Sequence, residues 1–418
     1  MRQYFSKIAF FEKYCLDFPF FCLILQRKQR VFTRLMDKTQ YNIPTLPLPF
    51  DLETKPILKQ VNQANRRLAE LKGVAMTIPN ENILISTLTL QEAKDSSEIE
   101  NIVTTQDDLY QGAASSLSDI AINAATKEVL NYREALEHGF RLVKQKGVLT
   151  STIIKDIQQY LEHNSAGFRS VPGTALKRSD GVVVYTPPQD IQTILDLMSN
   201  LESFINDESL SNLDPLIKLA IIHHQFESIH PFYDGNGRTG RIVCVLYLVL
   251  TNRLDLPILY LSRYITHNKG EYYRLIQAIR DKSTDNATEW EDWILFLLKG
   301  IEETAVDTTR LVKGISKLMA EFKAIIRPLF GKLYRHELLN NLFYHPYTKV
   351  DFIEKELGIS RATATRYLNQ LVGTRLIERV KVGRNHYYIN VPLMRLFMSV
   401  SNADTIDSSN LIESVIGE

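Results

Sequence analysis

Residues 214–250, DPLIKLAIIHHQFESIHPFYDGNGRTGRIVCVLYLVL, constrain the fold more than any other stretch of the chain. Two apolar runs flank a polar break, and positions 230–241 hold one histidine, one aspartate, three glycines and two arginines. Asp214 reads as a helix N-cap with Pro215 at the first helical position. A helix is therefore expected to end at Ile229, a loop to run from His230 to about Gly237, and a buried helix to start near Arg238. Gly235 and Gly237 let the loop backbone turn inward and approach a ligand closely. The unsatisfied N–H groups of a helix start lie at the positive end of its dipole and bind anions. Arg238 and Arg241, three apart, project from one face of that first turn. Together these features make a phosphate site. Asp234 offers a hard oxygen ligand suited to the Mg²⁺ that accompanies phosphates, and His230 beside it has the chemistry to accept a proton near neutral pH.

The rest of the chain is patterned for helices. ILKQVNQANRRLAELKG places Ile57, Val61, Ala64, Leu68 and Leu71 at helical spacing and is expected to stop at Gly73. Further helices are expected through LTLQEAKDSSEIEN, through TKEVLNYREALEHGFRLV, and through DIQTILDLMSNLESFI with Ile191, Ile194, Leu195, Met198, Leu201 and Ile205 on one face. TALKRSDGVVVYTPP reads as a hairpin around Asp180-Gly181. After about residue 331 the pattern changes to a helix stopped by Gly358, a second helix capped by Ser360, and two β-rich runs around VGRN. Ala364, Tyr367, Leu368 and Leu371 give that second helix an inward face and leave Arg361, Thr365 and Arg366 outside. Residues 345–390 contain eight Lys or Arg against four acids, a local charge of +4.

Composition bounds the function classes. At 418 residues the chain is too long for one ordinary core. Its net charge of +1 gives no whole-protein attraction to nucleic acid or an anionic membrane, so any such contact is local. Cys15, Cys22 and Cys244 form no paired framework and point to a reducing, cytoplasmic compartment. The apolar patch Phe18 to Leu25 is far short of a spanning helix, and no membrane partner is expected. Residues 1–35 read as an extension ahead of a true start at Met36; a peripheral membrane anchor is the alternative.

HPFYDGNGRTGR, residues 230–241, resembles the Fic motif HPFx(D/E)GNGRxxR at every defining position. The hairpin lies where that family's target-docking flap lies, and ILYLSRYITHNKGEYYRLI follows in the family's order. The last hundred residues resemble the winged-helix extension that some members carry. The resemblance implies a mainly α fold: a Fic-type helical core with a β-hairpin flap, plus a C-terminal winged helix-turn-helix domain. The expected division is an N-terminal helical region at 36–130, a catalytic core at 131–305, a connecting helix at 306–335, a winged-helix domain at 336–395 and a loose tail at 396–418.

The activity implied is transfer of AMP from ATP to a protein hydroxyl. By the family's pattern His230 is the general base, Asp234 holds Mg²⁺, and Asn236 with the amide of Gly237 lines an anion hole. Gly235 shapes the loop, Arg238 and Arg241 grip the phosphates, Phe232 packs inward, and Tyr272 and Tyr273 are candidates to flank the adenine or to join the core. SSEIEN resembles the family's inhibitory motif (S/T)xxxE(G/N) at Ser96, Glu100 and Asn101. That likeness implies that Glu100 pairs with Arg241 and misaligns ATP. Expected partners are ATP, a target protein docking near 174–186, DNA through 360–390, and a second copy of the chain. Three other readings stay open: a DNA-binding regulator that senses nucleotide through the Fic fold, an enzyme that removes AMP from targets, and a zinc site using His223, His224, Glu227 and His230.

Overall fold

The computed structural model describes residues 41–114, 122–178, 180–282 and 286–401. The expectations for residues 1–35 and for the chain beyond 401 lie outside the described residues. The fold is mainly helical. Helix α1 (Lys55–Ala75) is capped by Thr54, whose side chain accepts from the Ile57 amide, and it buries the five residues expected from spacing. It continues through Gly73, where open space surrounds the missing side chain. Helix α2 (Glu81–Ile99) is buried around most of its circumference, as a helix enclosed by neighbours must be. Helices α3 (Gln106–Ala113), α4 (Ala124–Lys146) and α5 (Ser151–Glu162) follow.

The flap is a short antiparallel hairpin of β1 (Leu176–Lys177) and β2 (Val183–Tyr185), turned at Gly181 with φ of 79°. Helix α6 (Ile191–Asn206) leads to α7 (Pro215–Ile229), which is capped by Asp214 as its sequence predicts. Leu195, expected on the inner face of α6, is instead 43% exposed, and Leu197 and Phe204 take the core positions. Residues 191 and 195 form a stripe adjacent to the one that packs, a displacement that helical spacing alone does not resolve. Helix α8 (Asn236–Leu250) starts two residues earlier than expected. Every side chain of α7 from Leu216 onward is buried, which makes α7 and α8 the centre of the core.

Helices α9 (Leu261–His267) and α10 (Lys269–Asp281) wrap the centre, and α11 (Ala287–Phe330) then runs for 44 residues. At 1.5 Å per residue that is about 65 Å, long enough to pack along α1 and reach the C-terminal module. This module comprises α12 (His336–Tyr344), β3 (Tyr347–Thr348), α13 (Val350–Leu357), α14 (Arg361–Val372), β4 (Ile377–Val382), β5 (Asn385–Asn390) and α15 (Val391–Ser401). Its antiparallel sheet has the order β3-β5-β4. Gly358 ends α13 at φ of 62°, and the Ser360 hydroxyl caps α14. The module sits directly on the N-terminal helices. Ser86 of α2 donates to the Tyr344 carbonyl at 3.1 Å, and Tyr110 of α3 stacks between Tyr347 and Phe397.

Three expected boundaries fall inside continuous helices: 130/131 in α4, 305/306 in α11 and 395/396 in α15. Each of these helices carries buried residues on both sides of the boundary, so packing rather than a linker spans it.

Candidate active site

The site forms where α7 ends and α8 begins. His230 terminates α7 in the left-handed region, φ 50° and ψ 59°. Its Nδ1 is buried near the Glu227 backbone. Burial first, then the positive charges of Arg280 and Arg169, push its pKa down to about 3, so the imidazole is neutral and basic in form at physiological pH. Asn236 clasps the loop: its Oδ1 accepts from the Phe232 amide and its Nδ2 donates to the Phe232 carbonyl, both at 2.8 Å. Asn236 was expected to line an anion hole. Its buried amide is instead turned to the loop backbone. Phe232 is fully buried against Phe168 and Phe226.

Gly235 adopts φ of 75° and opens α8 with no side-chain cap. The first amides of α8 are therefore free of any capping oxygen from that residue, which leaves a helix N-terminus ready for an anion. A Cβ on Gly235 would strike Glu162, and one on Gly237 would strike the Glu100 carboxylate and approach Arg241 Nη1 to 3.0 Å. Asp234 is exposed, with Oδ1 accepting from the Gly235 amide at 2.7 Å. Among the described residues no three His, Cys, Asp or Glu side chains are grouped to hold a metal. One exposed carboxylate beside an anion pocket nevertheless suits Mg²⁺, which binds through one or two carboxylates together with substrate phosphates.

The two arginines differ. Arg238, 5% exposed, is held by Glu128 of α4 at 3.1 Å and Glu162 of α5 at 2.8 Å. Neither carboxylate was anticipated, because they lie 110 and 76 residues away with no shared motif. Arg241, 2% exposed, donates from Nε to the Ser96 hydroxyl at 2.7 Å and from Nη2 to the Ser96 carbonyl at 3.0 Å and Glu100 at 2.9 Å. Burial alone would raise the Glu100 pKa, but Arg241 outweighs it and holds the carboxyl below its usual range. Asn101 takes φ of 61° just after α2 and accepts from Lys269 at 3.2 Å. That backbone explains why this position suits Gly or Asn.

The other candidates separate. Tyr272 is core, bonded to His223 at 2.8 Å, while Tyr273 is 46% exposed. His223 and His224 pack against Trp293 and Trp290 in the interior rather than converging with His230. Glu227, one turn before His230, is buried; burial pushes its pKa up to about 7, and its Oε1 has no hydrogen-bond partner. In the C-terminal module Arg361 is engaged by Asp351 and Glu354, while Arg366, Lys381 and Arg384 are exposed.

Three family models match the chain: Fic/DOC family N-terminal over residues 58–141, Fic/DOC family over 148–248, and the C-terminal domain of SoFic-like protein adenylyltransferase over 318–393. The chain belongs to the Fic family. Protein adenylyltransferase fic-1 of Caenorhabditis briggsae is 34% identical over 80 residues, 19% of this chain and 15% of that protein. Protein adenylyltransferase Fic of Drosophila erecta is 27% identical over 154 residues, 37% of this chain and 29% of that protein. The chain thus spans less than a third of the length of these curated relatives. A Fic family protein from Desulfovibrio desulfuricans G20 shares the fold, with a TM-score of 0.51 and 18% identity over 82% of this chain and 97% of that one. Within this Fic protein, Arg169, Arg280, Glu128 and Glu162 contribute to the site without any spacing signal in the sequence, while Glu227, which the spacing offered only as a zinc ligand, lies buried beside it. No helix among the described residues is long and apolar enough to cross a membrane.

Proposed function

We propose that this chain is a protein adenylyltransferase, restrained by its own Glu100. The relatives named as protein adenylyltransferases and the match to an adenylyltransferase C-terminal domain support the reaction class. The observation that carries the restraint is the Glu100 carboxylate lying against Gly237 at the start of α8 while paired with Arg241 at 2.9 Å. An uncapped helix N-terminus with a buried arginine is a place for a phosphate, and here the protein's own anion occupies it.

In the proposed reaction a hydroxyl oxygen of the target attacks the α-phosphorus of ATP. The bond from that phosphorus to the bridging oxygen of the β-phosphate breaks, pyrophosphate leaves, and the neutral imidazole of His230 takes the hydroxyl proton. Asp234 is the residue placed to hold Mg²⁺, which when bound neutralises phosphate charge. The amide of Gly237 and the guanidinium of Arg241 would meet phosphate oxygens once Glu100 moves away. Arg238 would either exchange Glu128 and Glu162 for phosphate or remain with them to fix α8. The exposed Tyr273 is the better of the two tyrosines for covering a base. The hairpin edge at 174–186 is the proposed docking site for an extended target segment. The C-terminal module, with its helix–strand–helix–helix–hairpin order, is the proposed winged helix.

The test is labelling with α-³²P-ATP and Mg²⁺ of the wild type, Glu100→Gly, and Glu100→Gly with His230→Ala. Strong label in the Glu100→Gly protein alone is the expected result. Equal label in all three would overturn the role of His230, and none in any would overturn the transferase reading.

A further inference from the structure

His230 holds a left-handed backbone that residues other than glycine adopt only when their surroundings force it. Besides the bond from the His230 amide to the Phe226 carbonyl at 2.9 Å, the bonds around it come from outside α7. Five successive carbonyls at the end of this helix and in the following loop each accept a hydrogen bond from elsewhere. Tyr185 Oη donates to the Ser228 carbonyl at 2.6 Å. Arg169 then takes the next three: Nη2 to Ile229 at 3.2 Å, Nε to His230 at 2.7 Å, and its own amide to Pro231 at 2.8 Å. Asn236 holds the Phe232 carbonyl. The two residues after Arg169 continue the seam, because the amides of Ser170 and Val171 both donate to Tyr233 Oη, at 3.0 and 3.1 Å.

Arg169 is the centre of this set. It is 1% exposed, and among the described residues no carboxylate lies within ion-pair distance of it. A buried guanidinium whose partners are carbonyl oxygens fits one kind of place well, the negative end of a helix dipole, where the last carbonyls lack intrahelical donors. Only a planar fork with donors on separate nitrogens bonds adjacent carbonyls while staying in one plane.

We propose that Arg169 is the positioning residue that fixes His230 in its left-handed conformation and so aims the imidazole at the acceptor hydroxyl. It reaches His230 through the backbone and has no contact with Arg238, Arg241 or Gly237, so its effect falls on alignment of the base and not on nucleotide binding. This deepens the adenylyltransferase reading and rests on it.

The experiment places Arg169→Lys and Arg169→Gln in the Glu100→Gly background, with Tyr185→Phe as a comparison that frees only the Ser228 carbonyl. Labelling rate at saturating ATP, ATP affinity by calorimetry, and the His230 backbone in a crystal structure are measured. Misplacing a base by about 1 Å costs roughly 100-fold, so Arg169→Gln is expected to slow labelling by at least that order while ATP affinity stays within about two-fold. Arg169→Lys, which keeps the charge but loses the fork, should fall between the parent and Arg169→Gln, and Tyr185→Phe should slow labelling least. An unchanged rate, or a rate and an affinity that fall together, overturns the proposal. Should Arg169→Gln fail to fold, the same split in Arg169→Lys decides. If the Glu100→Gly parent itself takes no label, the transferase reading falls, and the backbone of His230 then decides this inference: a left-handed His230 retained in the variant overturns it.

Discussion

At the scale of single residues, Asn236 makes the clearest demand on side-chain identity. Both ends of its amide are used on one backbone unit, donor to carbonyl and acceptor to amide. Asn236→Asp is nearly isosteric but keeps just one of these bonds and turns the other into an oxygen–oxygen contact inside the protein. Leaving a buried carbonyl without its donor costs about 1–3 kcal/mol, so a loss of stability of that order is expected in urea titration, together with loss of labelling. A stability equal to wild type would mean that the clasp does not form in solution. The same residue marks the limit of motif reading. The sequence pattern correctly singles out position 236, but an asparagine beside two glycines says nothing about whether its amide faces ligand or loop. Arg238 and Arg241 repeat the lesson. Their spacing puts them on one helix turn, while Glu128 and Glu162, which hold Arg238, come from two other helices, so the sequence near the motif carries no trace of them; the partners of Arg241 are legible only because Ser96 and Glu100 form a motif of their own.

At the scale of elements, α4 crosses α8 and α5 at Gly139. A Cβ there would lie 2.7 Å from Leu246 Cδ1 and 2.9 Å from Ile157 Cδ1, so the two helices meet α4 nearly backbone to side chain. Gly139→Val is expected to cost about 1–3 kcal/mol by overpacking, read as a shift in the urea midpoint with an unchanged slope. Because α8 carries Arg238 and Arg241, the crossing also sets where the anion pocket lies relative to Glu128. No change in midpoint would mean that α4 sits farther from α8 than this. Helices of this kind were the legible part of the fold. The caps at Asp214 and Ser360 and the stop at Gly358 follow from local hydrogen bonding, which sequence records. The inner face of α6 lies one stripe from the one its spacing suggests, because choosing a face depends on what packs opposite. Leu197 and Phe204 win over Leu195 on that ground alone.

At the scale of the whole molecule, six ionisable groups, all strongly shifted by burial, shape how stability depends on pH. Burial pushes His223 and His230 down to about 3 and His224 well below the usual histidine range. Burial pushes Glu92 up to about 8, Glu227 to about 7 and Asp95 to about 6. A buried neutral histidine leaves the proton to the unfolded chain between its lowered pKa and the ordinary 6.5, so stability falls as pH falls through that window. A buried protonated acid has the opposite sign: the native state keeps a proton that the unfolded chain has lost, so stability falls as pH rises toward the raised pKa. From about pH 4.5 to about 6 the three histidine protons of the unfolded chain match the three acid protons of the native one, and the curve should be nearly flat. Above about 6.5 the histidines drop out while Glu92 and Glu227 hold their protons, each removing about 1.4 kcal/mol per pH unit until it ionises. Below about 4.5 the unfolded carboxyls are protonated too, and the histidines, joined by carboxylates such as Glu100 that the native protein holds below their usual range, set a steep acid loss. Melting temperature measured from pH 4 to pH 8 should therefore show a plateau near pH 5–6.5 with a fall on each side. Glu92→Gln, which keeps an acceptor for the Ser262 and Tyr132 hydroxyls, gives up the acceptor of the Ser262 amide and cannot ionise, should flatten the alkaline side. A melting temperature that rises steadily to pH 8 in the wild type would mean that the buried acids are ionised and paired in the native protein.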